Sequence, residues 1–264
     1  MTNRMPAVFM GHGSPTLALD NNEFTRGLAQ VGRQIVARHG KPKAALVVSA
    51  HWFTNGWLVQ TDPKPEQVYD MYGFPQELYA FKYPVDGSPE LAQRVLDLTG
   101  ADFGTKADSP TTWGIDHGTW TTLCHVFPQA DVPLVQLSVN RQADAAQSYQ
   151  MGKRLAALRD EGYLLLASGN VVHNLYRVTW NMPADGYDWA KDFNATGRDA
   201  VLARDDDRVV NAAKLPNYKK AAPTPEHFLP LVYMLGASQG ERPQVFNDSL
   251  DLGSIAMTGL AFGM

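Results

Sequence analysis

Five stretches of the chain have the residue pattern of β-strands, and several are continuous apolar runs. Such runs are typical of strands that are covered on both faces, as in a parallel sheet between helices. The stretches are 6–10 (PAVFM), 44–50 (AALVVSA), 56–61 (GWLVQT), 132–139 (VPLVQLSV) and 163–169 (YLLLASG).

Amphipathic segments with capping residues alternate with these strands and predict helices. They are 21–40, 88–100, 142–162, 188–204 and 224–237. The alternation indicates an α/β fold: a single domain over 1–264 with a central, mostly parallel or mixed β-sheet flanked by helices. The loop-rich stretches 61–79 and 217–225 are expected to lie over a functional site.

The composition narrows the classes of partner. The chain has 264 residues, a net charge of −4 and one cysteine, Cys124. A slightly acidic chain is not expected to bind nucleic acid, and one cysteine excludes both an internal disulfide and a cysteine-rich zinc site. The chain has no signal-peptide pattern and no apolar run of membrane-spanning length, so we expect a cytoplasmic protein that is not in a membrane.

Three of the seven histidines lie just past the ends of predicted strands. His12 stands between two glycines after the first strand, His51 follows the second, and His173 follows the fifth. Ligand sites of open α/β sheets lie beyond the carboxyl ends of the strands. We therefore expect these three histidines to contribute to one site, at the strand C-terminal ends.

Two further histidines are predicted near helix starts. Asp116 is a candidate cap for a helix that places His117 in its first turn. With Thr224 as a cap, His227 would lie in the first turn of the last predicted helix. Its neighbour Glu226 would point about 100° away around that helix, so either residue could reach a metal but not both.

The remaining histidines, and several aromatic residues, have plainer interpretations. His39 ends a predicted helix, where it complements the helix dipole, and His125 fits packing or surface. Tyr72, Phe74 and Tyr79 could line an aromatic pocket or simply pack within their loop.

Histidines scattered at strand ends suit a metal site, since neutral imidazole is a common ligand of zinc and ferrous iron. The chain lacks HExxH, GxSxG, Walker and GxGxxG motifs. The residues alone thus predict an α/β enzyme with a histidine-rich metal site. Two other interpretations stay open, a zinc-dependent hydrolase that uses the same histidines and a binding module with a closed structural metal site.

An ordered set of motifs resembles one enzyme family. The stretches are GHGSP, VVSAHWF, YGFPQELY, YPVDGSPELAQ, WGIDHGTW, VPLVQLS, ASGNVVHNL and TPEHFLPL. Together they are similar to the DOPA 4,5-dioxygenase-type branch of the class III extradiol ring-cleavage dioxygenases, the LigB-like superfamily. The resemblance runs along nearly the whole chain and is weakest over 178–222.

The resemblance implies a mononuclear non-haem Fe(II) site that cleaves a catechol with O2 to a muconic semialdehyde. It implies His12 and His51 as metal ligands, with His227 preferred over Glu226 as the third. In the wider superfamily the third ligand is a glutamate.

It further implies that His173 is the acid/base residue and a possible fourth ligand, and that His117 contacts substrate or oxygen. A set of three or four histidines also suits Zn(II), which could occupy the site in isolated protein. The expected partners are a small catechol and O2, in a monomer or small homo-oligomer. The natural catechol and the choice between 4,5 and 2,3 cleavage stay open.

Overall fold

The structure, a computed structural model, describes residues 4–108 and 113–264. Over these residues the chain forms ten strands: β1 (Ala7–Gly11), β2 (Ala45–Thr54), β3 (Leu58–Val59), β4 (Lys106–Ala107), β5 (Leu134–Asn140), β6 (Leu164–Gly169), β7 (Pro243–Phe246), β8 (Leu250–Asp251), β9 (Ile255–Ala256) and β10 (Gly259–Phe262).

Helices connect and cover these strands. The α-helices are α1 (Glu23–His39), α2 (Gln76–Ala80), α3 (Pro89–Phe103), α4 (His117–Val126), α5 (Ala145–Leu155), α6 (Ala157–Asp160), α7 (Asp188–Ala203), α8 (Asp206–Val210), α9 (Tyr218–Ala221) and α10 (Leu229–Ala237). Short 3₁₀ turns occupy Pro15–Ala18, Leu175–Arg177 and Ala212–Lys214. In the described part of the chain, no helix has the length and hydropathy that crossing a membrane requires.

Eight strands form one mixed sheet in the order β4-β3-β5-β2-β6-β1-β10-β7. The four central strands β5, β2, β6 and β1 are mutually parallel, whereas β10 pairs antiparallel with β1 and β7 pairs antiparallel with β10. The expected α/β class with a mixed sheet is therefore confirmed. Strands β8 and β9 form a separate two-stranded sheet.

Each face of the sheet has its own core, because successive strand side chains point to opposite faces. Ala7 and Phe9 of β1 belong to the core under α3, α5, α7 and α10. Val8 and Met10 belong to the core under α1 and α4. Both faces are thus buried, which explains the continuous apolar runs.

Some of the predicted elements need correction. The strand predicted over 56–61 is only Leu58–Val59, since Gly56 (φ 87°) turns the chain before it. The helix predicted over 142–162 divides into α5 and α6. The C-terminal strands were not predicted, because their two to four residues are too short to show a period.

The last helix also starts later than predicted, at Leu229 rather than after Thr224. Pro230 has no N–H to donate to the carbonyl of Glu226, and the carbonyl of His227 accepts instead from Asn170 N at 2.8 Å. His227 therefore lies in a turn before the helix.

Arg159 of α6 connects three separate segments of the chain near the amino end of β1. Its buried guanidinium donates to the carbonyl oxygens of Met5 (2.6 Å) and Ala237 (2.9 Å) and to the carboxylate of Glu241 (2.7 Å). Because Met5 precedes β1, this contact lies at the opposite end of that strand from His12.

We predict that Arg159→Met lowers the free energy of unfolding by about 3 kcal/mol, because two buried carbonyls and a carboxylate lose their donor. Chemical denaturation measures the change. The matched control is Arg154→Met, which removes an exposed ion pair with Asp102 and should cost less than about 1 kcal/mol. Equal losses in the two variants would contradict the prediction.

Candidate metal centre

Three histidines reach one cavity from the carboxyl ends of β1, β2 and β6. His12 directly follows β1, and His173 lies four residues beyond the end of β6. His51 lies within β2, where the pairing with β5 shifts register between Ser49 and Phe53. Such a bulge re-aims side chains, and it replaces the simple strand end expected before His51.

His117 enters the cavity from the start of α4. Asp116 caps this helix as expected, since its carboxylate accepts from Thr119 N at 3.1 Å. At Gly118 a Cβ would lie 2.7 Å from Cδ2 of His51. Only glycine therefore lets the helix start lie so close to the His51 ring.

His227 comes from the turn before α10, and a second glycine lets it approach. A Cβ on Gly169, the last residue of β6, would lie 2.4 Å from the carbonyl oxygen of His227. The adjacent Asn170 N donates to that oxygen. The end of β6 thus fixes the backbone of His227.

The five imidazole rings form one cluster. Ring centroids are 4.9 Å apart for His12 and His51, 5.1 Å for His12 and His227, and 5.0 Å for His51 and His227. His173 stacks on His227 at 3.5 Å with an interplanar angle of 4°. His117 lies 3.9 Å from His51.

Two trios in this cluster, among the described residues, have ligand atoms within 4.8 Å of one another. One is His12, His51 and His117, and the other is His12, His173 and His227. His12 belongs to both. The trio His12, His51 and His227, which the resemblance implies, is neither of these, but it shares two histidines with each.

The hydrogen bonds of Ser168 determine the tautomer of His12. Ser168 Oγ lies 2.5 Å from the carbonyl oxygen of Gly118 and 2.9 Å from Nδ1 of His12. The hydroxyl has one proton, which it donates to the carbonyl. Nδ1 of His12 must therefore be the donor to Ser168, and Nε2 keeps a free lone pair.

The same reasoning applies to His51, whose Nδ1 lies 3.2 Å from Oδ2 of Asp70. A carboxylate only accepts, so Nδ1 carries a proton. Nε2 of His51 then faces Nε2 of His12 at 3.1 Å. Two lone pairs at this distance repel, so a shared proton or a metal cation must lie between them.

A metal fits this gap. Two imidazole nitrogens bound to one metal at about 2.0–2.1 Å are about 2.8–3.4 Å apart at bond angles of 90–110°. Nε2 of His227 is also buried and has no hydrogen-bond partner in the structure. An orphaned buried acceptor in the same histidine cluster as two facing ones adds to the nitrogen donors that a metal site needs.

The geometry also distinguishes His227 from Glu226. Oε1 of Glu226 accepts from the hydroxyl of Thr224 at 2.7 Å and lies 3.3 Å from Nδ1 of His227. His227 lines the cavity and Glu226 does not. The carboxylate thus stands behind the imidazole.

Burial determines the charge of most of the cluster. It lowers the pKa of His12 and His227 well below the ordinary imidazole value, and neighbouring histidines add to the effect. Burial and the charges of His51 and His117 lower the pKa of His173 to about 3. For His51, contact with Asp70 and the charge of Asp116 outweigh burial and raise the pKa.

The cavity encloses about 450 Å³ and is mainly apolar beyond the histidines. Tyr72 and Phe74 line it, whereas Tyr79 lies in α2 and its hydroxyl accepts from Phe74 N at 3.4 Å. The remaining walls come mainly from four segments: Gly13, Ser14 and Pro15; Asp70 and Met71; Leu175, Val178 and Trp180; and Leu252 and Ile255.

Sequence reasoning missed Asp70, the carboxylate that contacts both His51 and His117. It lies in the loop 61–79, which was expected over the site, but nothing in its local sequence marks it. His39 and His125 lie outside the cavity, as expected, and His125 Nε2 contacts the carbonyl oxygen of Leu17 at 2.8 Å.

Comparison with known proteins identifies the family. Residues 6–263 match the family described as the catalytic LigB subunit of aromatic ring-opening dioxygenase. The chain is 42% identical to the 4,5-DOPA dioxygenase extradiol of Escherichia coli K12, over 99% of this chain and 96% of that protein. It is 34% identical to the enzyme of the same name from Beta vulgaris, over 96% of this chain and 95% of that protein.

A solved structure agrees. The crystal structure of an uncharacterized protein from Escherichia coli K12 superposes with a TM-score of 0.84 at 39% identity, covering 98% of this chain and 100% of the other. The resemblance noted in the sequence is thereby confirmed. The chain belongs to the LigB family of aromatic ring-opening dioxygenases.

Proposed function

We propose that the protein is an extradiol dioxygenase that opens the ring of a side-chain-bearing catechol with O2, giving a muconic semialdehyde. The observation that carries this proposal is a cluster of five imidazoles on an aromatic-sized cavity, in which Nε2 of His12 faces Nε2 of His51 at 3.1 Å and the buried Nε2 of His227 has no hydrogen-bond partner. The family match supports the reaction class. The relatives' names make DOPA the first catechol to test.

In this proposal His12, His51 and His227 hold one metal ion, and His173 can act as a fourth ligand before substrate binds. Glu226 is not a ligand, because its carboxylate stands behind His227. All three donors are imidazoles, which suit both ferrous iron and zinc. We propose Fe(II) for activity and Zn(II) as an alternative occupant of isolated protein.

The bound metal would supply Lewis acidity that lowers the pKa of the catechol hydroxyls, together with a one-electron path to oxygen. His173 would accept a hydroxyl proton, because its ring is neutral at neutral pH and lies in the cavity, stacked on His227. His117, on the other side of His51, would contact substrate or oxygen.

The other proposed properties follow the sequence expectations. The chain would act as a single catalytic domain over 1–264 in the cytoplasm, as a monomer or small homo-oligomer. Its partners would be a catechol and O2, and not nucleic acid. The cavity walls would shield the reacting ring from water.

The proposed function is tested by dissolved-oxygen uptake after metal-stripped protein is reloaded anaerobically with Fe(II) and mixed with L-DOPA or catechol. We expect uptake with formation of a yellow product. His51→Ala should lose both metal and uptake. His173→Ala should retain the metal and lose about 10²–10⁴-fold in turnover, as expected on removal of a general base.

The matched control is His39→Ala, which changes a histidine at the end of α1, outside the cavity, and should leave uptake unchanged. Iron-loaded protein that consumes no oxygen with any of a panel of catechols would overturn the proposal. Hydrolysis by the zinc-loaded form would then be assayed instead. Unchanged turnover in His173→Ala would exclude that residue as the base.

We predict that metal affinity falls about tenfold per pH unit as pH drops below the pKa of His51. His51 has a raised pKa and holds a proton that the metal must displace. His12 and His227 have strongly lowered pKa values and hold no proton in this range. Zinc competition with a chromophoric chelator between about pH 5.5 and 8 measures the slope, and a slope near two would contradict the assignment.

We predict that the cavity discriminates against a substrate side chain with a net negative charge, which the zwitterionic side chain of DOPA does not have. Its described lining contains no lysine or arginine, and its one carboxylate, Asp70, contacts two histidines. An unpaired buried carboxylate is costly. The methyl ester of 3,4-dihydroxyphenylpropanoic acid should therefore exceed the free acid at least about tenfold in kcat/KM.

The two compounds share the same catechol ring, so ring reactivity is controlled. Equal values, or faster cleavage of the acid, would show that a cation reaches the substrate and would contradict the prediction. Oxygen-uptake kinetics at constant pH measure both compounds.

A further inference from the structure

The carboxylate of Asp70 lies between a proposed metal ligand and a cavity-lining histidine. Oδ1 of Asp70 accepts from the backbone N–H of His117 at 3.0 Å and lies 2.9 Å from Nδ1 of the same residue. Oδ2 lies 3.2 Å from Nδ1 of His51. The Asp70 side chain is only 16% exposed, so water competes weakly for these contacts.

Because a carboxylate has no proton to give, both imidazoles must present N–H at Nδ1. Each ring in its neutral form then has its lone pair at Nε2. For His51 this nitrogen faces Nε2 of His12. For His117, which lines the same cavity, it is the nitrogen left to face the cavity.

We propose that Asp70 is a positioning residue that holds His51 and His117 together in the Nδ1–H form. One carboxylate thereby prepares Nε2 of His51 to bind the metal and Nε2 of His117 to accept a hydrogen bond from a substrate hydroxyl. The part of this proposal that concerns metal and substrate rests on the proposed function. The assignment of the two tautomers rests only on the contacts of Asp70.

The two oxygens of Asp70 are not equivalent, and this makes the proposal specific. Oδ1 receives two N–H groups from His117, whereas Oδ2 has one contact, with His51. In Asp70→Asn the amide oxygen should take the position of Oδ1, where it still accepts from the two N–H groups of His117. The amide NH₂ would then face Nδ1 of His51 and force its proton to Nε2, as an amide does when it replaces a histidine-orienting carboxylate.

The first test uses metal-free wild-type protein and needs no turnover. Long-range ¹H–¹⁵N correlation spectra at alkaline pH, where the imidazoles are neutral, report which ring nitrogen carries the proton. We expect Nδ1–H for both His51 and His117, with assignments from single histidine variants. An Nε2–H form at either residue overturns the proposal, whether or not any variant folds.

The second test compares Asp70→Asn with Asp86→Asn, which removes the same charge from an exposed pair with Lys64. In Asp70→Asn we expect His51 to change to Nε2–H and His117 to stay Nδ1–H. Zinc affinity should fall about 10–100-fold, as expected for loss of a group that orients a ligand. Asp86→Asn should keep the wild-type spectrum and affinity.

Turnover of the Asp70 variants at saturating Fe(II) shows whether Asp70 acts by orienting the two histidines or only by stabilising the fold. Asp70→Asn should recover most of its kcat once metal is saturating, because its amide oxygen still holds His117. Asp70→Ala should not recover, since it holds neither ring. Unchanged metal affinity with an altered His51 tautomer would overturn the proposed link to the metal, and wild-type protein that binds no metal would count against the proposed function instead.

Discussion

The close approach of two imidazole nitrogens is the interaction on which the rest of the site depends. Nε2 of His12 and Nε2 of His51 are 3.1 Å apart, and both rings are largely buried. Ser168 and Asp70 occupy the opposite ring nitrogens and turn both lone pairs inward. In a medium of low dielectric this arrangement is stable only with a cation between the two nitrogens, either a proton or a metal.

The sheet places the residues that support the histidine cluster at the same height along neighbouring strands. Ser49 of β2 lies in register with Ser138 of β5 and Ser168 of β6, so a polar row crosses the carboxyl ends of the parallel strands. The bulge in β2 follows directly, and Gly118 and Gly169 let α4 and the His227 turn approach within contact distance. Small residues and hydroxyls at strand ends therefore serve the geometry of the histidines.

The negative charge near the histidine cluster comes from carboxylates behind the imidazole rings. Neutral histidines contribute no negative charge to a divalent metal. Asp70 and Glu226 contact the far nitrogens of His51 and His227. In the proposed site these carboxylates would supply negative charge and orient the imidazoles from behind, and they would leave the cavity side of the cluster free.

The sequence by itself determined the fold class and most of the cluster. Continuous apolar runs indicated buried parallel strands, and histidines at the ends of those runs indicated one site, because the carboxyl ends of parallel strands share one edge. The cap at Asp116 was also readable, since it needs only neighbouring residues. These features depend on local pattern and on the general rule for open α/β sheets.

Only the tertiary structure decided the finer arrangement. The bulge at His51 and the turn before α10 depend on which strands and carbonyls meet across the fold. Asp70 joins the site through contacts with residues 19 and 47 positions away, and no local pattern encodes such a pairing. The choice between His227 and Glu226 has the same origin: Pro230 and Asn170 set the backbone of the turn, and that backbone decides which side chain faces the cavity.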